Sequence, residues 1–81
     1  MENSTTVMNV LTEEKQTFHN GYDLETNLIS AIIFATEDRR KILDDDYRTA
    51  ITREAKIEYI TSKNGSIKVY SQAFDMIAYQ A

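Results

Sequence analysis

The stretch 27–35, NLISAIIFA, is the longest strongly apolar run in this chain of 81 residues. Its hydrophobicity alone is compatible with a buried strand or with the middle of a helix. The residues before it favour a helix, because Asp23 suits the N-cap and Glu25 suits a first turn whose dipole stabilises negative charge. We therefore predict one helix over residues 23–43. A strand over 28–34 is the alternative, since three of its residues are Ile and one is Phe.

The apolar side chains of this predicted helix form a stripe along one side, because they recur at helical spacing. The cations at positions 39–41 suit the C-terminal end of such a helix. We expect Leu28 and Ile32 to be central residues of the core. The stripe consists of Leu24, Leu28, Ala31, Ile32 and Ala35, with Ile42 rejoining it further along.

The length of the chain suits one small domain, near the lower limit of what a single hydrophobic core can stabilise. The sequence contains no Cys, which excludes disulfides, thiolate nucleophiles and thiolate metal ligands. Its longest apolar run is too short to span a bilayer, and residues 1–10 lack the basic and apolar parts of a secretory signal. We expect a disordered segment 1–6, a single domain over 7–81 and a cytoplasmic location without membrane association.

The net charge of −4 is mildly acidic, but it is unevenly distributed. Residues 1–38 contain one cation and seven carboxylates, whereas residues 39–70 contain eight cations and five carboxylates. Such asymmetry fits a polarised molecule that associates head to tail, or a basic half that meets an acidic partner. It also lies within the ordinary fluctuation of a short chain.

The N-terminal part of the predicted domain has apolar residues that fit one face of a helix, namely Val7, Val10, Leu11 and Phe18. Asn20-Gly21 supplies residues that end a helix in the left-handed conformation. We predict a short first helix that ends near His19. An edge strand over 7–11 is the alternative, because several of its residues are poor helix formers.

A third helix is predicted from the Asp triplet 44–46 to about Ala55. The triplet lacks the alternate spacing and the Gly of a calcium loop, so we interpret Asp45 or Asp46 as the N-cap. One side of this helix is polar and basic, and it combines Arg48, Thr52 and Lys56 at helical spacing with Arg53 beside them. An ordinary solvated helix face would have the same composition.

The clearest local signal is a β-hairpin over 56–62 and 66–72 that turns at Asn64-Gly65, because a type I′ turn needs positive φ at both central residues. A two-residue turn places Tyr59 opposite Tyr70 and Ile60 opposite Val69. Ile57 then shares a face with the two tyrosines, and both faces of the hairpin are partly apolar. The tail 73–81 suits a short helix or an extension of the second strand.

The predicted fold class is therefore α+β, with two or three helices followed by an antiparallel hairpin. This order is that of a winged-helix domain, as an analogy of layout only. Catalytic chemistry finds no support: His19 is the single His, Cys is absent, and two Gly are too few for a phosphate-binding loop. We predict no catalytic residue, no metal, no cofactor, no small-molecule substrate and no enzyme.

The function that these features favour is a small non-enzymatic protein-binding module, a regulator or inhibitor of a partner protein, acting alone or as a homodimer. Tyr59, Tyr70 and Ile57 are the predicted partner-binding residues, because exposed Tyr is enriched at interface hot spots. A winged-helix-like DNA-binding regulator is the alternative, disfavoured because the Asp triplet would repel phosphate. An acidic mimic of nucleic acid is a second alternative. The DNA-contacting residues would be Arg48, Thr52, Arg53, Lys56, Lys63 and Lys68.

Overall fold

A computed structural model describes residues 4–36 and 45–80 of the chain. Within these residues it contains two helices and five strands, so the predicted α+β class is confirmed but the number of helices and hairpins is not. The elements in chain order are β1 Thr5–Asn9, β2 Lys15–Phe18, α1 Leu24–Ala35, α2 Asp45–Ala55, β3 Ile57–Thr61, β4 Ile67–Ser71 and β5 Met76–Gln80.

The five strands form one sheet in the order β2-β1-β5-β4-β3, and all neighbouring pairs are antiparallel. Helix α1 packs on one face, where it contacts β1, β4, β5 and α2. The tail that suited a helix or an extension of the second hairpin strand forms β5 instead, the central strand of the sheet. Among the described residues, no helix is long and apolar enough to cross a membrane.

The first helix predicted from the sequence is wrong, because residues 7–19 contribute to an antiparallel hairpin of β1 and β2. Val7 is buried on the core side of β1, whereas Leu11 lies in the connecting turn and is 75 % exposed. The Asn9 side chain organises that turn, since its Oδ1 accepts from the N–H groups of Leu11 and Thr12 at 2.9 and 3.0 Å. The helical spacing of the apolar residues is therefore coincidental, and the winged-helix order fails with it.

The N-terminal strand also begins earlier than the sequence indicated. Thr5 and Thr6 lie in β1 and are buried, although disorder was expected up to residue 6. Their β-branched side chains suit a strand that is paired on both sides, as β1 is with β2 and β5.

Helix α1 confirms the helical interpretation of 27–35 and excludes the strand alternative. Asp23 is its N-cap, and the Asp23 carboxylate accepts from Thr26 N–H at 2.7 Å. The helix ends at Ala35 rather than at 43, where the C-cap Thr36 leaves the helical dihedrals with φ −85° and ψ 0° and its hydroxyl donates to Ile33 O. The remainder of the predicted helix, 37–43, lies outside the described residues.

Helix α2 agrees closely with the predicted third helix. It starts at Asp45, so Asp45 and Asp46 occupy its first turn, and the cap position before them lies outside the described residues. Ile51 and Ala55 face the core. The carbonyl of Ala55 accepts from the buried Ser71 hydroxyl at 2.9 Å, which joins the end of α2 to the β4–β5 turn.

The hairpin of β3 and β4 exists, but its predicted register is wrong by one residue. Tyr59 lies opposite Val69, and Tyr70 lies opposite Glu58. The connection is a three-residue loop in which Gly65 N–H donates to Ser62 O at 3.0 Å and only Gly65 takes a positive φ, +87°. The connection is therefore a turn that ends in a left-handed Gly and not a type I′ turn. The one-residue difference in register moves the side chains of one strand, relative to its partner strand, to the face opposite the predicted one.

The core lies between α1 and the middle of the sheet. Val7, Ala78 and Val69 are cross-strand neighbours in one row, and all three are buried beneath the helix. From the helix side, Leu28 and Ile32 are fully buried, as the sequence predicted. The buried Asn27 side chain exchanges two hydrogen bonds with the Asn20 amide at 2.7 and 3.2 Å, which ties the β2–α1 loop to the helix.

Truncation of the core should separate buried from exposed apolar side chains. We expect Ile32→Ala to lower the free energy of unfolding by about 2–5 kcal/mol, because the cavity adds to the lost transfer energy. Leu11→Ala, at a position that is 75 % exposed, should change it by less than about 0.5 kcal/mol. Urea denaturation followed by circular dichroism measures both, and equal stability of the two variants would contradict this assignment of the core.

Candidate functional site

Strand β3 differs from the opposite edge strand of the sheet in how its edge is protected. Among the described strands, β3 pairs only with β4, and it exposes 60 % of Tyr59 and 40 % of Ile60. The other edge strand, β2, is shorter and exposes the polar residues Lys15, Gln16 and Thr17. Short, charged edges resist pairing with another chain, whereas an apolar edge invites it. The better docking edge is therefore β3.

The backbone groups on the free side of β3 can be assigned from the hairpin. Ser62 N–H donates to Ser66 O at 2.9 Å, so Ser62 points its backbone groups towards β4. Inward and outward backbone groups alternate along an antiparallel strand. The N–H and C=O groups of Ile57, Tyr59 and Thr61 therefore point away from the sheet, where an added strand would meet them.

A cleft of about 480 Å³ adjoins this edge, between the first turn of α1 and the β3–β4 hairpin. Its apolar lining includes Leu24, Tyr59, Ile67 and Val69. Ile67 is 49 % exposed, so the floor of the cleft is open to solvent on the hairpin side. Asp23 and Glu25, at the start of α1, are among its polar lining residues. We call this cleft together with the free side of β3 the β3 edge site.

Tyr59 and Glu25 connect the two parts of the β3 edge site. Partial burial, followed by the neighbouring Glu25 carboxylate and its hydrogen bond with the Tyr59 hydroxyl, raises the pKa of Tyr59 above its usual value. The charge of Asp23 adds to this effect. The Tyr59 hydroxyl therefore remains protonated and can donate, and the local potential at the mouth of the cleft is negative.

Asp23 has the opposite shift. The side chain and backbone of Thr26 both hydrogen-bond to the Asp23 carboxylate and lower the pKa of Asp23 below its usual 3.8. Asp23 therefore stays charged in the native protein, so it serves the helix cap and the negative mouth of the cleft at once.

The three predicted partner-binding residues do not all come together. Ile57 and Tyr59 lie on the side of β3 that faces the helices, whereas Tyr70 points to the other face of the sheet. The Tyr70 hydroxyl donates to Asp75 Oδ1 at 3.4 Å, and burial and then the Asp75 charge raise the pKa of Tyr70. Leu24 and Glu25 were missed, because sequence spacing does not show that the first turn of α1 approaches the hairpin.

The residues predicted for DNA contact are spread over several parts of the molecule. Arg48 and Thr52 are half-buried on α2, and the Thr52 hydroxyl donates to Arg48 O at 2.8 Å. Arg53 lies in the last turn of α2, Lys56 in the left-handed residue that follows, and Lys63 at the hairpin tip. Lys68 lies on the sheet face opposite the helices, with its Nζ 5.8 Å from the Tyr79 ring centre.

Other features of the described chain lie apart from the β3 edge site. A second cleft of about 510 Å³ lies between the end of α1 and the β1–β2 hairpin, with Val7, Ala31 and Phe34 among its lining residues. His19 is exposed. Within residues 4–36 and 45–80, no three His, Asp or Glu side chains converge into a metal site.

Comparison of the chain with protein-family models, with curated proteins and with solved structures found no match.

The cap at the mouth of the cleft should show a defined pH dependence. A carboxylate whose native pKa is lowered stabilises the fold above its unfolded pKa and loses that effect as pH falls through the native value. We expect Asp23→Ala to lose about 1 kcal/mol at pH 7, with the difference from wild type shrinking below pH ~3.5. Asp23→Asn keeps an accepting oxygen and serves as the control, since it should lose less at pH 7. Urea unfolding of the three proteins across this pH range provides the measurement, and a pH-independent difference for Asp23→Ala would contradict the assignment.

Proposed function

We propose that this protein is a non-enzymatic protein-binding module, a regulator or inhibitor that takes up an extended segment of a partner along the β3 edge site. The observation that carries the proposal is an apolar edge strand with outward backbone groups beside an open cleft. An added strand would pair with Ile57, Tyr59 and Thr61, and its side chains on the helix side would enter the cleft. Main-chain bonds supply affinity in this mode, and pockets for alternate side chains supply specificity.

The charges of the site define the chemistry of the partner segment. Asp23 and Glu25 lie at the helix end of the cleft. Successive side chains of a strand alternate between faces, so two partner residues spaced by two would both face the cleft. One should be apolar, to cover Tyr59 and Ile67, and the other should be Lys or Arg, to meet Glu25. An acidic segment would be repelled.

Tyr59 is the expected centre of the binding energy. It combines a large apolar ring that is 60 % exposed with a hydroxyl near the Glu25 carboxylate, so it offers apolar contact area and a hydrogen-bonding group together. Such residues are typical hot spots. Tyr59→Ser should therefore weaken binding by at least about tenfold while the fold persists, because the side chain is 60 % exposed.

The test is selection from a displayed library of random linear peptides against the immobilised protein, followed by titration of enriched peptides and NMR mapping. We expect enriched sequences that alternate apolar and basic residues, with shifts in β3 and the first turn of α1. Thr61→Pro removes an outward N–H and leaves the bonds to β4 intact, so it should weaken binding by at least about tenfold.

The matched control is Thr17→Pro on the opposite edge. Asn9 N–H donates to Glu14 O at 2.9 Å, so the alternation along β2 gives Thr17 an outward N–H as well. Binding should be unchanged in this variant. Equal losses for Thr61→Pro and Thr17→Pro, or peptide-induced shifts confined to other elements, would refute strand addition at β3.

A further inference from the structure

The face of the sheet opposite α1, here the outer face, forms two continuous rows of side chains. Directly opposed residues of antiparallel strands point to the same face, so the strand register defines each row. The first row consists of Lys15, Met8, Ile77, Tyr70 and Glu58. The second row consists of Thr17, Thr6, Tyr79, Lys68 and Ile60.

The middle of the outer face is mostly apolar and partly exposed, and it includes the charged Lys68 of β4. Met8, Tyr70, Ile77 and Tyr79 are each partly exposed, and Ile60 at the β3 end is 40 % exposed. Both described helices belong to the other side of the molecule, since α1 and α2 contribute to the core beneath the inner face. A contiguous apolar patch with a polar rim is typical of a surface that binds another protein.

The charges at the two ends of the first row are opposite. Lys15 stands on β2 at one edge of the sheet and Glu58 stands on β3 at the other, with only apolar residues between them. A two-fold axis running along β5, between two facing sheets, exchanges the two edges. It places Lys15 of each copy opposite Glu58 of the second copy. Facing sheets lie about 10 Å apart, a gap that a Lys and a Glu side chain can bridge together.

The residues on that axis are also compatible with self-contact. On a two-fold axis a residue meets its own copy, so a charge there would repel itself. The two outer-face residues within β5 are Ile77 and Tyr79, both uncharged, and the Asp75 carboxylate just before β5 accepts from the Tyr70 hydroxyl at 3.4 Å. An axis running across the strands would instead place Lys15 opposite Thr17 and Glu58 opposite Ile60, with neither charge paired. The charges at the two edges of the sheet, Lys15 and Glu58, therefore favour the first arrangement.

We propose that the outer face binds a second copy of this chain, as a two-fold face-to-face dimer with its axis along β5. The dimer goes beyond strand addition at the β3 edge site and uses a different surface, because it needs side chains of the outer face and no backbone group of β3. A dimer of this kind would carry two β3 edge sites, one on each subunit. The two proposals therefore fail independently.

The test is sedimentation equilibrium at low ionic strength, where charge pairs are least screened. Wild type should be dimeric. Lys15→Glu and Glu58→Lys should each weaken dimerisation by at least about tenfold, since each places like charges opposite one another. The double charge swap, Lys15→Glu with Glu58→Lys, should restore it. Lys63→Glu makes the same charge change as Lys15→Glu at the hairpin tip and is the control that should leave the dimer unchanged.

A second measurement fixes the geometry without any variant. Zero-length carbodiimide cross-linking of mixed isotope-labelled and unlabelled protein should yield a Lys15–Glu58 link between copies. A monomeric wild type, a charge swap that fails to restore the dimer, or the absence of this intermolecular link overturns the proposal. A dimer lost in Thr61→Pro but intact in Lys15→Glu would assign self-association to the β3 edge and overturns it as well. Circular dichroism of each variant shows that the fold is retained.

Discussion

The narrow width of one helix on a five-stranded sheet determines how the rest of this molecule is arranged. Helix α1 is about 10 Å across, whereas five strands at a spacing of about 4.8 Å extend over roughly 19 Å. Its fully buried residues Leu28, Ile32 and Ile33 therefore pack mainly on the three middle strands and cover the two edge strands less. The two edge strands and the sheet face that no described helix covers are therefore the surfaces left open for contact with other molecules.

Local signals in the sequence were sufficient for α1 and nearly so for α2. The Asp23 cap and the spacing of Leu28 and Ile32 act within one helix, so they can be recognised without knowing the rest of the fold. The end of α1 was harder to predict, because Thr36 leaves the helical conformation although no Gly or Pro stands at that position. The exact residue at which a helix ends depends on small energy differences more than the existence of the helix does.

The sheet and the candidate site could be predicted only in part, because strand pairing is decided at long range. Val7 and Ala78 pair in the structure but are far apart in the chain, and no local pattern indicates that β5 enters between two hairpins. Asn64-Gly65 is compatible with a two-residue and with a three-residue connection. The predicted two-residue turn placed Tyr70 on the same face as Tyr59, whereas in the structure Tyr70 lies on the opposite face. Tyr59 kept its exposure in either register, which is why it remains at the centre of the site.

Strand β5 has a consequence for how the protein is made. Among the described strands, the β1–β2 and β3–β4 hairpins are joined into one sheet only by β5, which follows both of them in the chain. During synthesis on the ribosome, neither half of the sheet can be joined to the other until β5 has left the exit tunnel. Until then the inner edges of β1 and β4 stay open to incorrect pairing, and α1 has no completed surface to pack on. Vectorial folding of this chain is therefore postponed to its last strand, and a pause in translation before β5 would prolong the aggregation-prone interval.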